Sequence, residues 1–392
     1  MREDTASRSR AQAPLIMSSA ERPGSRRSAR MYASSANAAV VRAMCSGSIV
    51  SKVSAGLVAP VIGSRPMRWL LLGLLGLLML GVLGCAVPRT HGRFLAAVPH
   101  ANVPLPPRTK IFLVAGGTDV ANFAAEVVAQ RRFWLARGYA SDEIACYWAH
   151  PGADDFRDDR SQYRELAAAL RACYPATPAL LREHLLQTSR RAPPFVYLYV
   201  SSHGRETLLP LSAMPDRSML PGERALLDQT VIQLGGRQGR WSPTAAVRLG
   251  LHRGRDPDSL LFSPRILRDL LLGFPATTRK LVILQACHSG GFLSDPRPAR
   301  QADTLAMVPG LTAIASARVD RTSFGCDSGA QMTYFGSVYL RVLTGSVGPA
   351  HRALDDHHID WVVLFSRLNT HITALEREVD VEPSLPLLLR TP

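Results

Sequence analysis

The stretch Lys280-Leu-Val-Ile-Leu-Gln-Ala-Cys-His-Ser-Gly-Gly-Phe292 decides the fold. Leu281 to Leu284 is a short apolar run of the kind that fills a strand buried on both faces, as parallel strands are. It breaks off in a small residue, a thiol and two glycines, which let the backbone turn sharply and approach a ligand. Open α/β sheets bind their ligands beyond the carboxyl ends of the central strands, and Cys287 falls there. A second run of the same style, Phe195-Val-Tyr-Leu-Tyr-Val-Ser-Ser-His-Gly204, ends in a histidine and a glycine. Two buried strands, one delivering His203 and the other Cys287, supply the parts of a thiol–imidazole dyad.

A thiol becomes a good nucleophile as its thiolate, and a nearby imidazole takes or stabilises that charge. Each residue alone has a plain structural reading, because free cysteine is among the most buried residue types. The pair is more specific, since both lie just after apolar strands and near glycine. His288 competes as the base, but sequence neighbours at a strand end point in different directions, which favours His203.

Working outward, Lys110-Ile-Phe-Leu-Val-Ala-Gly-Gly117 reads as a first buried strand, followed by a helix over 120–137 with Gly138 as its stop. A strand over 143–148 and helices over 163–172 and 178–189 precede the His203 strand. Residues 208–259 are rich in Gly, Pro and Arg with weak periodicity, and are read as a loop insertion that binds substrate. A helix over 264–272, ended by Gly273, leads into the Cys287 strand. A strand over 311–316, a polar loop over 317–330 and helices over 333–343 and 359–378 complete the pattern. Alternating strands and helices predict a three-layer α/β/α domain with a mainly parallel central sheet.

The organisation before this domain is read in three parts. Residues 1–66, rich in Ser, Ala and Arg, form a disordered extension or one that precedes the true start at Met67. Residues 67–85 look like a bacterial lipoprotein signal peptide: a basic start, an apolar core, and Val82-Leu83-Gly84-Cys85 resembling a lipobox, with Cys85 as the lipidated residue. From Trp69 to Gly84 the apolar run falls short of the ~20 residues a spanning helix needs. Residues 86–109 form a proline-rich tether, and 110–380 the folded domain. Ala86 after Cys85 points to the outer membrane, periplasmic face, in a cell with two membranes.

The chain of 392 residues carries a net charge of +15, roughly half of its excess in the first 66 positions. The body is mildly basic, without a Lys/Arg block or a nucleic-acid module, so no nucleic-acid partner is expected. A membrane partner through the lipid is. No Cys/His set has metal-ligand spacing, and no metal or organic cofactor is expected. His357 and His358, beside Asp355, Asp356 and Asp360, read as a solvated cluster. In an exported protein a Cys146–Cys173 disulfide is an open option.

Four pieces in order resemble the peptidase C13 (legumain-like) family, a group with the caspase-like fold. They are Val114-Ala-Gly-Gly117 followed by Asn122, Ser202-His203-Gly204, Gln285-Ala-Cys-His-Ser-Gly-Gly291, and the segment from Ile314 to Cys326 with Thr333-Tyr-Phe-Gly336. The resemblance covers residues 110–343. It implies a cysteine peptidase acting on peptide or protein substrates. Cys287 would be the nucleophile that forms an acyl-enzyme, and His203 the base and later the proton donor to the leaving amine. The N–H groups of Gly204 and Cys287 would form the oxyanion hole, and Asn122 would support the histidine. Gln285, Ser316, Arg318, Arg321 and Ser323 would line the substrate site.

The departures matter. Legumains read Asn or Asp with one arginine and two carboxylates, and the matching positions here are Ala124, Gln285 and Ser337. Asparagine specificity is therefore not carried over, and Arg318 or Arg321 would favour an acidic residue. Ala286-Cys-His-Ser-Gly290 also resembles metacaspases, whose aspartate two residues before the cysteine is Gln285 here. An inactive lipid-anchored scaffold and a transpeptidase using the same nucleophile are the other readings.

Overall fold

Continuous apolar runs build one large sheet. The structure, a computed structural model, describes residues 15–18, 103–117, 120–150, 160–209, 219, 222–235, 243–325, 331–348 and 352–392. The chain divides into two units, residues 1–19 with 90–392 and residues 20–89, and all described residues belong to the first. The signal-peptide reading with Cys85, residues 86–102 of the tether and Cys326 lie outside the described residues.

The strands are β1 (Leu15–Ser18), β2 (Ile111–Ala115), β3 (Ile144–Trp148), β4 (Tyr174–Pro175), β5 (Phe195–Ser201), β6 (Gly204–Arg205), β7 (Val231–Ile232), β8 (Arg279–Gln285), β9 (Leu311–Ala315) and β10 (Leu387–Arg390). Eight of them form one sheet in the order β1-β10-β9-β8-β5-β2-β3-β4, while β6 and β7 form a small ribbon. The run from β9 to β4 is parallel. β10 is antiparallel to β9, and β1 antiparallel to β10. The expected mainly parallel sheet is the one found. Four residues of the N-terminal extension thus belong to an edge strand, and the folded body runs past residue 380 to β10.

Helices cover both faces. α1 (Ala121–Ala136), α2 (Arg160–Ala169), α3 (Pro178–Ser189), α4 (Pro243–His252), α5 (Pro264–Leu272), α6 (Tyr334–Val347) and α7 (Trp361–Glu378) are the longer ones. Strand side chains alternate between two cores. Phe112, Val114, Leu198, Val200, Val282 and Leu284 pack with Leu181 and Leu185 of α3 and with Leu267 and Leu271 of α5. Leu113, Tyr197, Tyr199 and Ile283 pack with Phe123 and Trp134 of α1, Phe335 and Tyr339 of α6, and Leu368 of α7. Strands buried on both faces cannot show an inside–outside alternation, which is why they read as unbroken apolar runs.

The helix starts are chemically marked. Thr177, Thr333 and Asp360 accept backbone N–H groups at the first turns of α3, α6 and α7. Ile266, Leu267, Leu270 and Leu271 put one apolar face of α5 against the sheet. The insertion over 208–259 is more regular than its composition predicts: it holds β7, α4 and the short helix Glu223–Leu227. Tertiary contacts with β6 order it, since β7 pairs with the strand that starts at Gly204.

Cys146 and Cys173 form a disulfide with Cα atoms 4.8 Å apart. The register that pairs Tyr147 with Tyr174 brings the preceding residues side by side. Of the surface cluster read as solvated, Asp355 pairs with Lys110 and Arg352, and Asp360 caps α7.

Candidate active site

Strand order turns the chain around at β2 and β5. From β2 the chain moves outward through β3 and β4, then returns to the other side of β2 and continues through β5, β8 and β9. Such a switch point leaves a crevice beyond the strand ends. His203 stands there.

Register brings the dyad residues together. Ser201 pairs with Gln285 across β5 and β8, and the ladder extends one step by Ser202 N–H donating to Gln285 O at 3.0 Å. His203 and Cys287 each lie two residues beyond that pair, so both leave the sheet at the same level and on neighbouring strands. The 84-residue gap between them is closed by the sheet. Gly204 lies against the nucleophile: a Cβ on it would sit 1.8 Å from the Cys287 carbonyl oxygen. Only glycine permits that approach.

α1 supplies the third side. Phe123 meets the His203 ring edge-on, with centroids 5.0 Å apart. Asn122, in the same first turn, is buried, and the turn that carries it is therefore at the histidine. His288 adopts a left-handed conformation, φ 60°. Its N–H donates to Arg321 O, and its Nδ1 donates to Val319 O at 2.8 Å. That ring is committed to the loop after β9.

Cys287 is the free cysteine among the described residues and is partly buried. Its Sγ touches one residue twice: Ser323 N–H donates to it at 3.3 Å, and the thiol donates to Ser323 O at 3.5 Å. Burial pushes the thiol up from its ordinary value, and the Ser323 contacts pull it back only in part.

The residues expected to line the substrate site separate into two groups. Ser323 is at the sulfur. Ser316 is buried, accepts Ala286 N–H at 3.0 Å and donates to Ala286 O at 3.0 Å, so it fixes the backbone just before Cys287. Arg318 is bound to Asp320 through two hydrogen bonds of 2.6 and 2.8 Å. Arg321 pairs with Glu382. Both arginines already serve carboxylates of this chain. Ser337, matched to a pocket position, is exposed on α6, and Ala124 is buried in α1. Gln285 is fully buried, and its Nε2 lacks a partner among the described residues.

Sequence reading missed a polar stripe on the buried face of α1. Asn122, Glu126 and Gln130 recur every fourth residue and are all 2% exposed or less. Tyr197 OH donates to Gln130 at 3.4 Å, Tyr199 OH donates to Glu126 at 2.7 Å, and Ser201 Oγ lies 2.6 Å from the same carboxyl oxygen. Polar residues in register at i, i+4 and i+8 beside apolar Phe123 and Val127 were the available signal.

No protein-family model matches the chain, and no curated protein matches it. Among solved structures, a Geobacter sulfurreducens protein is similar at 12% identity over 73% of this chain and 94% of that one, with a TM-score of 0.39. Caspase-1 from Spodoptera frugiperda is similar at 9% identity over 75% of this chain and 90% of that one, with a TM-score of 0.35. Likenesses this distant leave function to the geometry of the site.

Proposed function

We propose that this chain is a cysteine peptidase of the C13, caspase-like type, in which Cys287 attacks a peptide carbonyl and His203 moves the proton. One observation carries the reading: His203 and Cys287 stand at the same offset beyond a paired Ser201 and Gln285. His203 takes the thiol proton as Sγ adds to the carbonyl, and returns it to the leaving amine when the C–N bond breaks. Water, or an amine in a transpeptidase, then resolves the acyl-enzyme. The backbone N–H groups of Gly204 and Cys287 receive the developing oxyanion, and Asn122 steadies the imidazole. The Ser323 backbone, at the sulfur, meets the substrate beside the scissile bond. The pairing of Arg318 and Arg321 with carboxylates speaks against their reading an acidic residue.

A lipid on Cys85 places the enzyme at the outer membrane, facing the periplasm. The Cys146–Cys173 disulfide fits that oxidising compartment. Replacing Cys85 with Ser abolishes fatty-acid labelling on this reading, and unchanged labelling rejects the anchor.

The second reading, a latent enzyme or an inactive scaffold, draws on the burial that pushes the Cys287 thiol up, which the Ser323 contacts offset only in part. Peptide-library cleavage by the wild type and by Cys287→Ala, with mass-mapped iodoacetamide labelling of each cysteine, separates the two. Cleavage lost in Cys287→Ala, and labelling fastest at Cys287 and slowed by His203→Ala, supports the peptidase. Cleavage that survives Cys287→Ala rejects this mechanism. No cleavage, with Cys287 as slow as an ordinary thiol, makes the scaffold the better account.

A further inference from the structure

Glu126 is the most buried carboxyl near the site, 1% exposed, and no cation pairs with it among the described residues. It is also the point where four elements meet. It sits on α1 one helical turn after Asn122. Its Oε1 accepts Thr333 N–H at 2.9 Å and Thr333 Oγ1–H at 2.6 Å, at the cap that starts α6. Its Oε2 is 2.7 Å from Tyr199 OH and 2.6 Å from Ser201 Oγ, both on β5. Ser201 Oγ is in turn 2.9 Å from Gln285 Oε1 on β8. Ser201 and Gln285 are the residues from which His203 and Cys287 are each two positions away.

Counting hydrogens narrows the network. Ser201 has one hydroxyl hydrogen and two oxygens within reach, Glu126 Oε2 and Gln285 Oε1. A carboxylate at Glu126 would take that hydrogen and leave two oxygens, Ser201 Oγ and Gln285 Oε1, facing each other without one. A carboxylic acid resolves both contacts: Glu126 donates to Ser201, and Ser201 donates to Gln285. Turning the Gln285 amide round would also satisfy Ser201, but it would keep a carboxylate, hydrogen-bonded yet without a counter-charge among the described residues, in the buried core, where an unpaired charge is costly. Burial pushes the Glu126 carboxyl up, against the pull of its Ser201, Thr333 and Tyr199 contacts. The titratable groups around it are Tyr199 on β5 and Tyr339, stacked on Tyr199, from α6; β8 contributes the uncharged Gln285. Both tyrosines are pushed up as well, so neither supplies a charge near neutrality.

We propose that Glu126 is a positioning residue for the Cys287–His203 site, held as the neutral acid so that its proton, passed through Ser201 to Gln285, locks the ends of β5 and β8 in one register. This rests on the peptidase reading for its purpose, but not for its chemistry. A neutral acid is an unusual choice for a mere space filler: Glu126→Gln keeps the donor and acceptor pattern, with the amide N–H in place of the acid O–H, whereas Glu126→Ala removes it. A side chain that only filled space would treat the two replacements by size alone.

The test uses the full-length chain and iodoacetamide, with peptide mapping of Cys287. Glu126→Gln alkylates within about twofold of wild type, while Glu126→Ala is altered by about tenfold or more, the usual cost of sub-ångström misplacement at a site. Infrared difference spectra, wild type minus Glu126→Gln, show the carbonyl stretch of a buried carboxylic acid at pH 7. Carboxylate bands alone at pH 7, or equal effects of the two variants, overturn the proposal. Should Glu126→Ala fail to fold, Ser201→Ala replaces it and is expected to behave the same way. A wild type that cleaves no peptide, yet shows the acid band and the Gln/Ala difference, sinks the peptidase reading alone. Normal cleavage in Glu126→Ala sinks the positioning role alone.

Discussion

Glu126 and Glu143 are buried almost equally, 1% and 2% exposed, at opposite ends of the same sheet. Their chemistry is opposite. At the amino-terminal end, burial raises the Glu143 carboxyl, but Arg352, the Ala140 N–H and Lys110 outweigh it and hold the group down at about 2. Lys110 and Arg352 also share Asp355 at 2.9 and 2.6 Å. At the carboxyl-terminal end, Glu126 has hydroxyls and one backbone N–H for company, and its carboxyl is raised. Burial alone therefore does not decide ionisation; the neighbours do. One end of the sheet is fastened by paired charge and the other by hydrogen bonds and close backbone contact.

The contrast can be broken in four places. The largest effect is expected from Gly204→Ala, whose methyl would meet the Cys287 carbonyl. A loss of about 4 kcal/mol or more in urea unfolding follows from overpacking against backbone, together with loss of Cys287 reactivity; near-wild-type behaviour would mean that the two strand ends are further apart than described here.

Glu143→Gln comes next, at about 3 kcal/mol at pH 7, because it removes the more buried of the two carboxylates that hold Lys110 and Arg352. The sign follows from a depressed folded value: the carboxylate stabilises above the unfolded value of 4.5, and that contribution fades as pH falls towards 2. Denaturation of wild type and variant should therefore converge in acid, and a constant gap across pH would show that packing, not charge, is at work.

Glu126→Gln should behave in the reverse sense. A raised folded value means that stability is full below the unfolded 4.5 and is lost as pH rises through the folded value. The variant is expected within about 1 kcal/mol of wild type at neutral pH, where a shape-conserving amide replaces the acid, and to gain on wild type in alkali. A wild type that gains on the variant as pH rises would mark Glu126 as an ionised, stabilising carboxylate.

The smallest stability change is expected from Arg321→Ala. Its partner Glu382 is largely exposed, and such pairs contribute under about 1 kcal/mol. The readout is kinetic: freeing the loop that carries Ser323 over the sulfur should speed Cys287 alkylation, and an unchanged rate would detach the loop from access to the thiol.

The five central strands β2, β3, β5, β8 and β9 were legible because they are largely buried on both faces and read as apolar runs. The apolar runs ending in His203 and Cys287 could be paired from sequence for that reason, and α3 and α5 were marked by Pro178 and Pro264 at their starts. β10 was not legible: Leu387–Arg390 is four residues long, and its partner β9 lies some seventy residues earlier. Nor was the order within 208–259, where β7 exists only because Gly204 and Arg205 pair with it.

Side-chain roles divide along the same line. Residue type and place in the chain determined which thiol, imidazole and amide stand at strand ends, since that depends on local hydrophobicity and on where it stops. Tertiary structure alone decided what each group meets. Ser316 turned to the Ala286 backbone, Arg318 and Arg321 to carboxylates, and His288 to Val319. A polar side chain takes the nearest partner when water is excluded, and partners hundreds of residues apart become neighbours only when the sheet is assembled. Thr333 and Glu126, 207 positions apart, are the clearest instance: nothing in the chain links the two, and Thr333 caps the buried carboxyl beneath the site.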